Sequence, residues 1–325
     1  MPYRFKAKQS IEENVRRIAH EEIDSAVDLL SRVAPRKRDE SVHEARKSIK
    51  KTRALLRLVA PELGKTFNQE NKRFRDTGHQ LSVLRDAAAL LETVGHIEEQ
   101  LGASLDRRLL ATVRRGLQRQ KRELEHQFTR SKTIPRAASA LRAAAKRIRG
   151  WPLGADGFEA IAPGLKRSYR DGRRALKRAQ QKRDIVSYHD LRKRVKDHWY
   201  HVRLLESIWT EVMQAHEASL KELETWLGED HNVSVLREKL EENPDHFGGE
   251  QTVRVFLALA DQYQKELQEK ALALAERVYV EKPRLFLANI AALWDGWQKQ
   301  PPAMKEVERE QRDSKEKRVS GRTAA

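Results

Sequence analysis

Residues 42–50 read VHEARKSIK, and residues 188–196 read YHDLRKRVK. Superposed at an offset of 146, His43 falls on His189, Arg46 on Arg192, Lys47 on Lys193 and Lys50 on Lys196. The same offset pairs Arg57 with Arg203, Leu58 with Leu204, Leu81 with Leu227 and Leu90 with Leu236. A constant offset over this distance marks an internal duplication. The chain is therefore expected to consist of two related parts, residues 1–150 and 151–299, meeting at the Trp151-Pro-Leu-Gly-Ala-Asp-Gly157 segment.

The text around the repeat is helical. Gly (15) and Pro (10) are sparse in 325 residues, and long runs of Ala, Leu, Arg, Lys, Glu and Gln lie between them. Apolar residues recur at three- and four-residue spacing, as in Leu105, Leu109, Val113, Leu117, Leu124 and Phe128. Strand-like alternation is hard to find, so the predicted class is all-α. Breaks are expected near Pro35, Pro61, Gly64, Gly95–Gly102, Ile134–Pro135, Trp151–Gly164, Gly228, Asn243–Gly249 and Pro283. From Gln300 the residues have little to bury, and a disordered charged tail over 300–325 is predicted.

On a helix, His43, Arg46, Lys47, Lys50 and Arg57 share about a third of the circumference, with Arg53 at its margin. Ala45, Ile49, Thr52, Leu56 and Val59 lie opposite. The second copy sets His189, Arg192, Lys193, Lys196 and Arg203 against Leu191, Val195, Val202 and Leu205, with Tyr200 along the basic side. Ser41 with Glu44, and Ser187 with Asp190, have capping-box spacing. With those serines as caps, both histidines would stand in a first helical turn. A solvated face is the plain alternative for any Lys/Arg cluster. It would normally mix signs, whereas no acid stands among these positions. Cations near a helix N-terminus also oppose the macrodipole, an arrangement that a bound anion relieves. A third stripe, Lys166, Arg170, Arg173 and Lys177 with Arg174 beside it, precedes the second copy; Arg107, Arg114 and Lys121 read as solvated surface.

The bulk charge agrees with an anionic partner. Lys and Arg exceed Asp and Glu by 65 to 48, giving +17 and a pI near 10.0. With no cysteine, disulfides, thiolate metal sites and Cys nucleophiles are excluded. No apolar run approaches the roughly 20 residues of a bilayer span, and the N-terminus becomes charged too early for a signal peptide. A cytoplasmic protein without membrane insertion is expected.

The paired His-x-x-Arg-Lys motifs, the LKRSYRDGRRALKRA segment (165–179) and the opening YRF…ENVRRIA (3–19) resemble the CHAD family, the conserved histidine α-helical domain, over roughly residues 5–300. The resemblance implies two pseudo-symmetric bundles of about four helices each around a basic central groove or pore. It also implies binding of inorganic polyphosphate and association with polyphosphate granules. Two departures stand out: Leu84-Arg85-Asp86 is matched by Asp230-His231-Asn232, and Arg53 by Trp199. No Glu-x-Glu-x-Lys signature precedes the domain, so a stand-alone member is expected.

Nucleic acid is the second choice of partner. It would favour aromatics interleaved with the cations, for which Tyr169, Trp199 and Tyr200 are candidates. Catalysis is not expected, because no compact acidic set for Mg²⁺ appears in the stripes. His198 and His201, three apart, lack a visible third metal ligand, and no cofactor is predicted. A scaffold without ligand is the third reading.

Overall fold

In the computed structural model, residues 3–32, 37–101 and 107–300 are described. The expected tail (from residue 301), the break at Pro35, and Gly102 and Leu105 lie outside them. Among the described residues there are twelve α-helices and two short 3₁₀ segments, and no strand. The all-α expectation holds.

The helices are α1 (Ile11–Ser31), α2 (Arg38–Leu58), α3 (Ala60–Leu63), α4 (Lys65–Gln80), α5 (Ser82–Leu101), α6 (Arg107–Arg130) and α7 (Thr133–Ile148). They are followed by α8 (Gly157–Lys182), α9 (Ile185–Leu204), α10 (Thr210–Glu242), α11 (Glu250–Val278) and α12 (Pro283–Lys299). Advancing α1 by 146 residues lands its first residue on Gly157, the start of α8; α2 lands one residue before α9. The short α3 lands on the 3₁₀ segment Glu206–Ile208, α4 and α5 on the single long α10, α6 within α11, and α7 four residues ahead of α12. Packing repeats with the order: α1 lies on α2 and α7, while α8 lies on α9 and α12.

Several expected breaks are absent, for identifiable reasons. Gly95 and Gly228 sit inside α5 and α10, where a single glycine weakens a helix by only about 1 kcal/mol. Pro163 lies inside α8, which already begins at Gly157. One residue on, α8 packs against α2. There Gly164 meets the backbone of Leu58 so closely that a Cβ would stand 1.8 Å from the carbonyl oxygen. Only glycine permits that approach.

Two apolar clusters hold the helices. The larger draws on α1, α2, α7, α8, α9, α12 and the first half of α10, with single residues of α3, α4 and α6 and the last turns of α11. The smaller joins α5 and α6 to the second half of α10, Phe247 and α11. Each contains side chains from both sides of residue 150. The apolar backs of the repeated helices are fully committed: Ala45, Ile49, Leu56, Leu191, Val195 and Val202 are all buried. Each large aliphatic among them contributes about 1.5–3 kcal/mol on burial. The mid-chain connector is likewise tied down. Trp151 is buried, its carbonyl and that of Ile148 accept from Arg16, and Asp156 Oδ1 accepts the Ile11 amide at 2.8 Å.

Candidate functional site

Helix starts differ from the capping expectation. α2 begins at Arg38, three residues before Ser41, with Asp39 and Glu40 in its first turn, where carboxylates favour the macrodipole. His43 therefore lies in the second turn. α9 is capped by Asp184, whose Oδ1 accepts the Ser187 amide at 2.7 Å. A carboxylate makes a stronger, charge-assisted cap than a serine hydroxyl, so Ser187 donates to Asp184 instead of capping. His189 stands one residue past the first turn, and the free N–H groups of both helix starts are further from the motif than its spacing suggested.

α2 and α9 pack together, the Arg57 guanidinium of one donating to Asp197 of the other at 2.9 Å and His201 Nε2 bonding Ala54 O at 2.9 Å. The pair is flanked by α8 on one side and reaches α5 and α10 on the other. The second side is where the charges converge. Burial pushes the Lys50 ammonium well below its usual range, and the charges of Lys196, Arg46 and Arg192 push it further. Lys50 has no hydrogen-bond or ion-pair partner among the described residues. Burial also lowers Arg192 and Lys196. Arg192 Nε is buried without a hydrogen-bond partner among the described residues. Cations from both copies of the motif thus share one partly enclosed place.

α10 lines it with groups of mixed character. His231 packs against His189 with ring centroids 4.5 Å apart and the rings tilted by 39°. Burial first, then Arg192, His189, Lys196 and Lys193, bring His231 down to about 4; burial, Lys193 and Arg192 lower His189. Glu224 holds Lys196 at 2.5 Å and Lys221 at 3.3 Å. Burial alone would raise its carboxyl, but Lys196, Lys221 and Arg192 hold it down to about 2. Asp230 is buried among Gln264 and Gln268, which donate to it, and Asp86 of α5 meets Arg46 at 3.4 Å. The side chains of Leu84 and Arg85, the other members of the departing segment, lie outside those described.

The remaining predicted residues are distributed elsewhere. His43 and Lys47 flank the cluster, both touching Glu44. Arg53 donates to Asn71, and burial lowers it to about 10. Arg203 pairs with Glu217 and lies over the Trp199 ring. No acid stands at the stripe positions themselves, but Glu44 within the first motif and acids from α5, α9 and α10 meet these cations. Tyr200 is not on an open basic side. It is 3% exposed, stacked on Trp199 and edge-on to Tyr3.

On α8, Lys166, Arg170, Arg174 and Lys177 are exposed, with Arg170 against Asp171. Arg173, at the centre of that stripe, donates to the carbonyls of Tyr279, Val280 and Glu281 at the end of α11. Arg173 is therefore held at the α11–α12 turn, while the other four members of the stripe stay exposed. Arg114 and Lys121 are ion-paired surface residues, with Glu98 and with Asp39 and Glu125. His198 and His201 are core residues with no exposure, the first packed among Tyr169, His216 and Phe286. No cluster of three or more potential metal ligands occurs among the described residues, and no described helix is long and apolar enough to cross a membrane.

Sequence reading missed Glu224 and Lys221 and gave His231 no role. The offset itself held the signal, since it sets Glu224 opposite Gly78 and His231 opposite Arg85. A comparison of mismatches, rather than matches, would have singled them out. No similar protein was found among curated sequences. A family model for the CHAD domain matches residues 17–241, more than half of the chain, and the chain belongs to the CHAD domain family.

Proposed function

We propose that the chain binds inorganic polyphosphate along the basic surface that α2 and α9 turn toward α5 and α10. Arg46, Lys50, Arg192 and Lys196 are the principal contacts, with His43, Lys47, His189, Lys193 and His231 around them. The observation that carries this reading is the convergence on Lys50 of like charges from both copies of the motif. Cations crowded into a partly buried place repel one another, and a flexible polyanion relieves that repulsion at every phosphate. Arginine offers forked contacts to phosphate oxygens and lysine a point charge. Counterions released on binding make the affinity salt-dependent. Membership of the CHAD family, linked in general to polyphosphate, supports this ligand over other polyanions.

In this reading the two repeated parts, 1–150 and 151–299, are pseudo-symmetric and enclose a common basic groove. Lys166, Arg170, Arg174, Lys177, Arg53, Arg57 and Arg203 act mainly through the field they add, and Arg173 and Tyr200 support the fold. The protein is a binder without catalysis, working in the cytoplasm at polyphosphate granules. Replacing Arg46, Lys50, Arg192 and Lys196 together by Gln is expected to weaken binding of long-chain polyphosphate by about a hundredfold or more, read by titration at fixed salt. Unchanged affinity would leave a scaffold as the better reading. Nucleic acid remains second choice, because the aromatics beside the cations are buried and offer no stacking platform. Displacement of polyphosphate by single-stranded RNA at equal phosphate concentration would reverse that order.

A further inference from the structure

The two copies of the basic face are unequal in their counter-charge. Lys196 is held by Glu224 at 2.5 Å, and the Glu224 side chain is only 10% exposed. At the 146-residue offset, the position equivalent to Glu224 is Gly78, and Lys50 has no ion partner among the described residues. A Cβ on Gly78 would touch Ile49 at 3.4 Å, so α4 lies against α2 at this point, and a glutamate at position 78 would be the repeat's counterpart of Glu224. Glu224 lies within electrostatic reach of Lys196, Arg192 and Lys50 together, as an anionic ligand of this cluster would. It also has a second resting place: Lys221, three residues earlier on α10, meets its other carboxylate oxygen and is half exposed.

We propose that Glu224 is a built-in competitor for the anionic ligand, occupying the cations of the second copy in the free protein. The ligand engages the Lys50 side first, and reaches Lys196 only as Glu224 is displaced toward Lys221. This rests on the polyphosphate reading above. Its physical basis is that the carboxylate neutralises Lys196 and Arg192 in advance, and then repels any phosphate brought beside them.

The test is titration of long-chain polyphosphate into the full chain and into Glu224→Gln and Gly78→Glu, at several salt concentrations, with thermal melts as a check of folding. Glu224→Gln should bind on the order of tenfold tighter, and Gly78→Glu on the order of tenfold weaker. The salt slope of Glu224→Gln should steepen by roughly 0.7, one more counterion being released. Equal or weaker binding by a folded Glu224→Gln overturns the competitor role while leaving polyphosphate binding intact. Binding by the variant but not by the parent supports the role in its strongest form. Binding by neither overturns both readings. If Glu224→Gln does not fold, Gly78→Glu decides alone: weakened binding supports the competitor, and unchanged binding sinks it.

Discussion

The α2 and α9 copies carry the same His-x-x-Arg-Lys-x-x-Lys motif, yet stand in different surroundings. In the first, His43 is partly exposed beside Glu44, Arg46 meets an exposed Asp86, and Lys50 is without a counter-ion among the described residues. In the second, His189 packs against His231, Arg192 feels Glu224, Asp86 and Asp230, and Lys196 is locked to Glu224. The cause is the partner helix. α10 is continuous and brings Glu224 and His231 to one side, whereas the corresponding α4 and α5 separate at Leu81 and bring Gly78 and Asp86. A repeated motif therefore does not mean a repeated site; the charge state of each copy is set by what packs over it.

The contact between the copies is the easiest part to break. Gly164→Ala forces a methyl against the Leu58 carbonyl, and chemical denaturation should show a loss of about 3 kcal/mol or more. A smaller loss would mean that α8 and α2 can separate without disturbing the fold. Single substitutions then sharpen the difference between copies. Lys50→Gln should weaken polyphosphate binding about tenfold and Lys196→Gln only about threefold, because Glu224 already neutralises Lys196. Equal losses in the two titrations would make the copies functionally equivalent.

A smaller effect concerns pH. In the free protein His189 and His231 are held below their ordinary range, His231 at about 4, so both are neutral near pH 7. A bound phosphate raises them, and protons are taken up on binding between the bound-state and free-state values. Affinity at constant ionic strength should therefore rise as pH falls from 8 to 6, by roughly threefold, and be flat above that window. The double variant His189→Asn, His231→Asn should lose the dependence. A dependence that survives in the variant would assign it to other groups.

Much of the architecture was legible in the residues. The apolar back of each repeated helix, from Ala45 to Val59 and from Leu191 to Leu205, is buried as the 3.6-residue period requires. The offset read from His43 and His189 also carries the order of the helices. Helix ends were less legible. Ser41 and Ser187 have capping spacing, but α2 continues back through Asp39 and Glu40, and Asp184 outcompetes Ser187 as the cap. Tyr200 illustrates a different limit. Its position on the wheel points along the basic side, while Tyr3 and Trp199 cover it from outside the motif. Arg173 looks like its neighbours in the α8 stripe, yet its guanidinium is bound to carbonyls just past the end of α11, the first of them 106 residues away.

By itself the sequence determined the helical class, the repeated motif at its 146-residue offset and the sign of the net charge, because periodicity, spacing and charge are local or additive properties. Only the tertiary structure decided that cations of both copies meet around Lys50, that Arg173 is tied to the turn after α11, and that Glu224 pairs directly with Lys196 while reaching Lys50 only through its field. Those outcomes depend on which helices pack together. Packing converts a list of charges into a set of distances and burials, and electrostatic energy depends on both.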